Sequence, residues 1–120
     1  MKNKIIGTRQ IGSNRGNRRV WIEGTGAFKQ LEALGWTKGV TYKRETTANG
    51  FTITRDDAGK LRVAGSAGRP VFDLCGAYVT KALAGCSEVA VTVTSKTITI
   101  TGKSAAVLFP VILKALEVAA

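Results

Sequence analysis

The chain contains no histidine, two cysteines, two prolines and few acidic residues. With cysteine only at Cys75 and Cys86, a zinc site would have to be built from carboxylates, so we expect no metal and no cofactor. The chain also lacks the commonest general base, and no serine or cysteine stands beside an obvious replacement, so we expect no catalysis. The adjacent acids Asp56 and Asp57 lie in a DDAG stretch, which is typical of a turn.

Long hydrophobic runs are missing as well. The best candidate, AAVLFPVIL near the C-terminus, has about nine residues, half the length of a membrane-spanning helix. The N-terminal lysines are not followed by an apolar segment, so we expect no signal peptide. The two cysteines are expected to be small buried residues in a reducing compartment. We therefore expect a cytoplasmic protein that does not contact membranes.

Positive charge is what the chain has in excess. Its 120 residues, 44% of them hydrophobic, suffice for a single domain with a core. Eighteen basic residues oppose eight acidic ones, giving a net charge of +10, which favours phosphate polyanions as partners. Residues 1–22 contain six of the bases and no acid. This asymmetry predicts a basic N-terminal arm over residues 1–17, made pliable by the GSNRGN stretch.

The remaining sequence contains two units of similar order, residues 18–64 and 69–103. The first reads as a strand (RRVWIEG), a short helix (AFKQLEALGW) and a hairpin, and the second as RPVFDLCG, AYVTKALAG and SEVAVTVTSKTITITGK. A shift of 50 residues superposes the two, with Gly35 falling on Gly85. We expect a mainly β (α+β) fold in which two β-α-β-β repeats form a small antiparallel barrel or paired sheets.

The last segment departs from the repeat. Ser104 is a good N-cap, and the apolar residues that follow fall near helical spacing, so residues 104–120 are predicted to form a C-terminal helix that is kinked or begins near Pro110. A mostly apolar helix has to be covered. Its cover is either the sheet of its own subunit or a second subunit, in which case the protein is a homodimer.

The two units resemble the AbrB-like superfamily, including its SymE-type members, through VWIEG, LEALGWTKG and GFTIT in the first unit and RPVFDLCGAYVTKALAG with its valine-rich hairpin in the second. The resemblance covers roughly residues 18–103. It implies an intertwined or pseudo-two-fold β-barrel that binds nucleic acid through basic residues, and SymE-like members are regarded as RNA-directed toxins or DNA-binding proteins. The architecture is also similar to Whirly-type single-strand binders, in which aromatic stacking contributes to binding.

Basic and aromatic residues supply the candidate binding site. Lys60 and Arg62 are two residues apart and so project from one face of their strand. Trp21 is expected to be accessible, because Val20 and Ile22 can supply the buried face of the same strand. The full set of predicted nucleic-acid-binding residues is Arg9, Arg15, Arg18, Arg19, Trp21, Lys43, Arg44, Arg55, Lys60, Arg62 and Arg69.

These observations predict a non-catalytic nucleic-acid-binding protein whose phosphate contacts tolerate many sequences. RNA or single-stranded DNA is preferred to duplex, because aromatics are expected at the surface and no helix-turn-helix is visible. Two alternatives stay open. One is a phage or bacterial protein-interaction factor that inhibits a host nucleic-acid enzyme, and the other is a SymE-like RNA-directed toxin.

Overall fold

The structure is a computed structural model and describes residues 4–104. Ten strands, one 3-10 helix (Gly26–Phe28) and one α-helix, α1 (Ala77–Ala82), occupy that range. The strands are β1 (Lys4–Gln10), β2 (Gly12–Asn14), β3 (Asn17–Glu23), β4 (Thr41–Thr47), β5 (Gly50–Arg55), β6 (Leu61–Arg62), β7 (Ala64–Ser66), β8 (Arg69–Cys75), β9 (Cys86–Thr94) and β10 (Thr97–Ser104). No helix within residues 4–104 is long and apolar enough to cross a membrane.

The strands form two antiparallel sheets. The larger has six strands in the order β1-β9-β10-β5-β4-β6, and the smaller has four in the order β2-β3-β8-β7. A single hydrophobic cluster joins the two sheets, with the Trp36 indole 5.6 Å from the Phe72 ring in an edge-to-face contact. The core therefore lies between the inner faces of the sheets.

Alternation along each strand decides which residues enter this core. In β9 the valines Val89, Val91 and Val93 are fully buried, and the residues between them are half-buried. The neighbouring strand β10 buries Ile98 and Ile100 in the same way. Because side chains of a strand alternate between faces, the intervening threonines point to the outer face of the six-stranded sheet.

The two halves of the described chain, residues 4–55 and 56–104, repeat one strand order. A shift of 52 residues superposes the β2–β3 hairpin on the β7–β8 hairpin, because the turn pair Asn14 and Asn17 falls on Ser66 and Arg69. A shift of 47 superposes the β4–β5 hairpin on the β9–β10 hairpin. The connection between the two hairpins is thus five residues shorter in the second half.

Strand pairing between the halves obeys the same two shifts. Trp21 pairs with Asp73 in the smaller sheet, and Thr52 pairs with Thr99 in the larger one, so equivalent residues lie opposite each other in both sheets. The first strands are exchanged: β1 of the first half pairs with β9, and β6 of the second half pairs with β4. The halves are therefore related by a pseudo-two-fold axis that passes through both sheets.

The architecture predicted from the sequence is wrong in its helices. The first unit contains a 3-10 helix and successive turns instead of a helix over residues 27–36. The helical spacing predicted burial of Phe28, Leu31 and Leu34. Phe28 and Leu31 are buried, whereas Leu34 is half-buried. Spacing near three and four residues identifies the side chains that reach the core, but it does not distinguish an α-helix from a series of tight turns.

The predicted barrel is also wrong, since neither sheet closes on itself within residues 4–104. The predicted C-terminal helix does not begin at Ser104, which is the last residue of β10. The rest of that helix, with its proposed dimer contact, lies outside the described residues. The segment expected to be a pliable arm contributes β1 to the larger sheet and β2 to the smaller one. Its glycines and asparagines form the hairpin turn at Arg15 and Gly16, both at positive φ.

Candidate nucleic-acid interface

The outer face of the four-stranded sheet carries two ion pairs, one on each side of Trp21. The Arg19 guanidinium donates to both carboxylate oxygens of Asp73, at 2.8 and 2.9 Å, and lies 4.5 Å above the centre of the Trp21 ring. The hydrogen bonds that Arg19 donates to Asp73 raise the pKa of the Arg19 guanidinium. On the other side of Trp21, Glu23 forms an ion pair with Arg69 at 3.0 Å. Both of these predicted phosphate ligands, Arg19 and Arg69, therefore already have carboxylate partners.

Two further predicted arginines hold the two sheets together. The Arg9 Nε donates to the Trp21 carbonyl oxygen at 2.9 Å, which ties β1 to β3. The Arg18 guanidinium donates to the carbonyl oxygens of Leu83, at 3.0 Å, and Cys86, which close the segment after α1. Both arginines donate to backbone carbonyl oxygens that have no partner in the strand ladders. Their guanidinium groups therefore stabilise the fold.

The arginines of the β4–β5 hairpin stack on aromatic rings of the core. Arg44 lies 4.2 Å from the centre of the Tyr78 ring. Arg55 lies 4.7 Å from the centre of the Trp36 ring and donates to the Leu34 carbonyl oxygen at 3.0 Å. Because the guanidinium groups pack on these rings, neither arginine extends freely into solvent.

The remaining predicted residues, Arg15, Lys43, Lys60 and Arg62, are exposed. Arg15 lies apart from the others, in the β2–β3 turn, whereas Lys43 and Arg62 lie on β4 and β6 at one end of the larger sheet. Lys43 has an exposed carboxylate neighbour, Glu45, at 3.7 Å. No ion pair within residues 4–104 involves Lys60 or Arg62. The structure thus brings part of the predicted set together.

The sequence patterns did not lead us to predict two features of this end of the larger sheet. One is Lys96, an exposed residue in the β9–β10 turn whose backbone carbonyl accepts from Arg55 N at 2.9 Å. The other is a field of threonines on the outer face, formed by Thr8, Thr52, Thr54, Thr92, Thr94, Thr97, Thr99 and Thr101. The signal was present in the TVT, TIT and TITIT segments, of which only the buried valines and isoleucines were interpreted.

The same end of the larger sheet also contains acidic residues. Asp56 and Asp57 lie in the turn between β5 and β6, next to Lys60. Asp56 is engaged in that turn, where its Oδ1 accepts from Ala58 N at 2.9 Å and its backbone carbonyl accepts from the Thr41 hydroxyl at 2.7 Å. An Asx-type contact of this kind confirms that the DDAG stretch forms a turn.

Comparisons with known proteins give this site no further definition: no protein-family model, no curated protein and no solved structure matches the chain. The resemblance to AbrB-like and Whirly-type proteins stays a prediction. Within residues 4–104, no group of three or more metal-ligating side chains is present.

Proposed function

We propose that the protein binds nucleic acid without acting on it chemically. The phosphate contacts lie at the end of the six-stranded sheet that is formed by β4, β6 and the β9–β10 turn. The observation that carries the proposal is the grouping of Lys43, Lys60, Arg62 and Lys96 at that end, three of them without an ion pair in the described part of the chain. Unpaired cations attract phosphate oxygens, and the adjacent threonine hydroxyls are suitable second donors.

The proposal concerns the phosphate backbone and so expects tolerance of sequence. The predicted preference for RNA or single-stranded DNA depended on accessible aromatic rings and on the lack of a helix-turn-helix motif. Trp36 is fully buried, and Trp21 is half-buried beneath the Arg19 guanidinium. RNA and single-stranded DNA remain the nucleic acids that we propose first, and the decisive comparison is with duplex of the same length.

The experiment measures fluorescence anisotropy of labelled RNA, single-stranded DNA and duplex DNA across a salt series. The double variant Lys60→Gln/Arg62→Gln should weaken binding to all sequences alike and reduce the salt slope by about 0.7 to 0.9 logarithmic units per lost contact. The matched control Arg15→Gln/Lys81→Gln removes the same charge from the β2–β3 turn and from α1. Equal effects of the two variants, or no binding at low salt, would refute the proposal.

A cytoplasmic location forms part of the same proposal. Its support is that Cys75 and Cys86 are both free thiols, although each is only half-buried. Free, partly accessible thiols persist in a reducing compartment. Thiol labelling of the protein in intact cells, before and after lysis, tests the location, and modification of both cysteines by a membrane-impermeant reagent outside intact cells would contradict it.

A further inference from the structure

Strand β1 is an edge of the six-stranded sheet, and one side of its backbone has no partner within residues 4–104. Its other side pairs with β9 along its whole length. Just beyond the strand, Ile11 N donates to the Ser87 carbonyl oxygen at 3.1 Å. Because hydrogen bonding alternates along a strand, the odd-numbered residues face β9, while Ile6 and Thr8 direct their N–H and C=O groups outward.

A groove lies beside this free edge. It encloses about 770 Å³ between β1, the turns after the 3-10 helix and the β9–β10 turn. Its apolar lining includes Ile6, Ala27, Ala33 and Leu34. The Ile6 side chain is 68% exposed and is the large hydrophobic residue most open to solvent in the described chain. An apolar surface beside an unpaired strand edge is a feature that stable monomers usually avoid.

Close packing beneath β1 fixes the walls of the groove. The Phe28 ring lies against Gly7, where an added Cβ would be 2.8 Å from the ring. Glycine at this position lets the 3-10 helix approach the inner face of the strand. The groove is therefore held between two parts of the molecule that are fixed in relation to each other.

The groove is positively charged. Lys4 and Lys29 line it, and its lining contains no carboxylate. Glu32, which lies in the same series of turns, is directed elsewhere, since its Oε2 accepts from Gly68 N at 2.8 Å. An occupant of this groove should therefore carry negative charge next to an apolar group.

The opposite part of the sheet shows how this protein protects an edge. Residues Lys43, Arg44 and Glu45 of β4 lie beyond the short partner strand β6 and are unpaired on that side. Charged residues on an edge discourage the addition of another strand. In β1 the residues between Lys4 and Arg9 are uncharged, so this edge lacks that protection.

We propose that the free edge of β1 and its groove bind an extended acidic peptide segment of another protein. The segment adds a strand to β1, bonds to the outward amides of Ile6 and Thr8, and places an apolar side chain in the groove with a carboxylate near Lys4 or Lys29. A peptide is favoured over nucleic acid because alternating N–H and C=O groups match a peptide backbone. This inference does not rest on the proposed phosphate site: β1 and β6 are opposite edges of the sheet, and the two sites share only the β9–β10 turn, where Lys96 follows the groove residue Ser95.

The probe is a capped synthetic peptide of ten alternating valine and glutamate residues, and its control alternates proline and glutamate. The control has the same charge but cannot complete a strand ladder. The valine peptide should bind the full-length protein at least about tenfold more tightly, equivalent to about 1.4 kcal/mol. Equal binding of the two peptides would mean attraction by charge alone and would overturn the proposal.

Amide exchange locates the contact without any substitution. Measured by NMR, the valine peptide should slow exchange at Ile6 and Thr8, whereas Ile5 and Gly7 are protected already. Ala33→Trp, which fills the groove, should abolish the preference for the valine peptide, and Ala84→Trp should not. Protection of Ile6 and Thr8 by single-stranded DNA alone, or by self-association without peptide, would overturn the proposal.

Discussion

The two halves of the molecule use the same strand order, but a strand from the other half pairs with their β4–β5 and β9–β10 hairpins to different extents. In the second half, β9 is paired along its length by the seven-residue strand β1. In the first half, the equivalent strand β4 is paired on the side away from β5 only at Thr41 and Tyr42, by the two-residue strand β6. Duplicated folding units therefore need not leave duplicated surfaces.

Residue types follow this difference in cover. Arg44 and Thr46 of β4 are equivalent, by the 47-residue shift, to Val91 and Val93 of β9. The valines are fully buried, whereas Arg44 is half-buried and Thr46 is exposed. Where the neighbouring strand is present the position is apolar, and where it is absent the position is polar. Both proposed binding surfaces lie where the halves differ.

The largest loss of stability is expected in the core that the two halves share. Ile53 and Ile100 are equivalent and fully buried on neighbouring strands. Replacing either with alanine leaves a cavity and should lower the free energy of unfolding by about 2 to 5 kcal/mol. Urea denaturation followed by tryptophan fluorescence and by circular dichroism should give one coincident transition for each variant. Two separate transitions would show that the halves have separate cores.

A smaller effect is expected where one half binds the other through a side chain. Arg18→Ala removes the donors to the Leu83 and Cys86 carbonyl oxygens. Leaving such acceptors without partners costs about 1 to 3 kcal/mol of unfolding free energy. Arg15→Ala, an exposed change three residues earlier in the chain, is the control and should alter stability by about 0.5 kcal/mol or less. Thermal unfolding that ranks the two variants equally would remove Arg18 from its structural role.

The open edge of β4 can be made to resemble its covered counterpart. Arg44→Val introduces the residue found at the equivalent position of β9 and removes a charge from an unpaired strand. We expect a loss of at most about 1 kcal/mol of unfolding free energy, because the contact of Arg44 with the Tyr78 ring is removed. We also expect a higher average mass than the wild type at the same concentration, because edge charges oppose strand addition. Sedimentation velocity over a concentration series measures this effect. An unchanged mass would show that Arg44 does not protect the edge, and Lys81→Val is the control for lost charge.

The smallest effect is expected at the outer network of the smaller sheet. Arg19 and Asp73 form a bidentate pair whose side chains are 32% and 37% exposed. Exposed pairs of this kind contribute little to stability, and salt screens them. Arg19→Met should therefore lower the free energy of unfolding slightly in dilute buffer. The loss should be smaller in 1 M salt, because the Debye length there is about 3 Å and the ion pair is screened. A loss that is independent of salt would indicate that packing on Trp21 is the larger contribution.

Sequence patterning indicated the strands better than their arrangement. Alternation in SEVAVTVTSKTITITGK located the buried valines and isoleucines of β9 and β10, because a side-chain period of two is a local property. The pairing of β1 with the second half is not local, since Lys4 and its partner Thr94 are 90 residues apart in the chain. Local patterning contains no information on such partners.

The candidate site was harder to predict for a related reason. Basic residues near Arg18 suggested a phosphate-binding arm, but Arg18 and Arg19 are satisfied by carbonyl groups and by Asp73. Those partners are separated from the arginines by 54 or more residues in the chain. Composition shows how much charge is present, whereas only the fold shows which charges are already paired.

Residue-by-residue hydrogen exchange tests the central comparison most directly. The pseudo-two-fold arrangement predicts strong protection of the Val91 and Val93 amides, which β1 covers, and fast exchange at the equivalent Arg44 and Thr46 amides, which face the open edge of β4. Ile53 and Ile100 should be protected to the same degree, as the internal reference. Equal protection at Val91 and Arg44 would contradict the account, because it would mean that the two halves are covered alike.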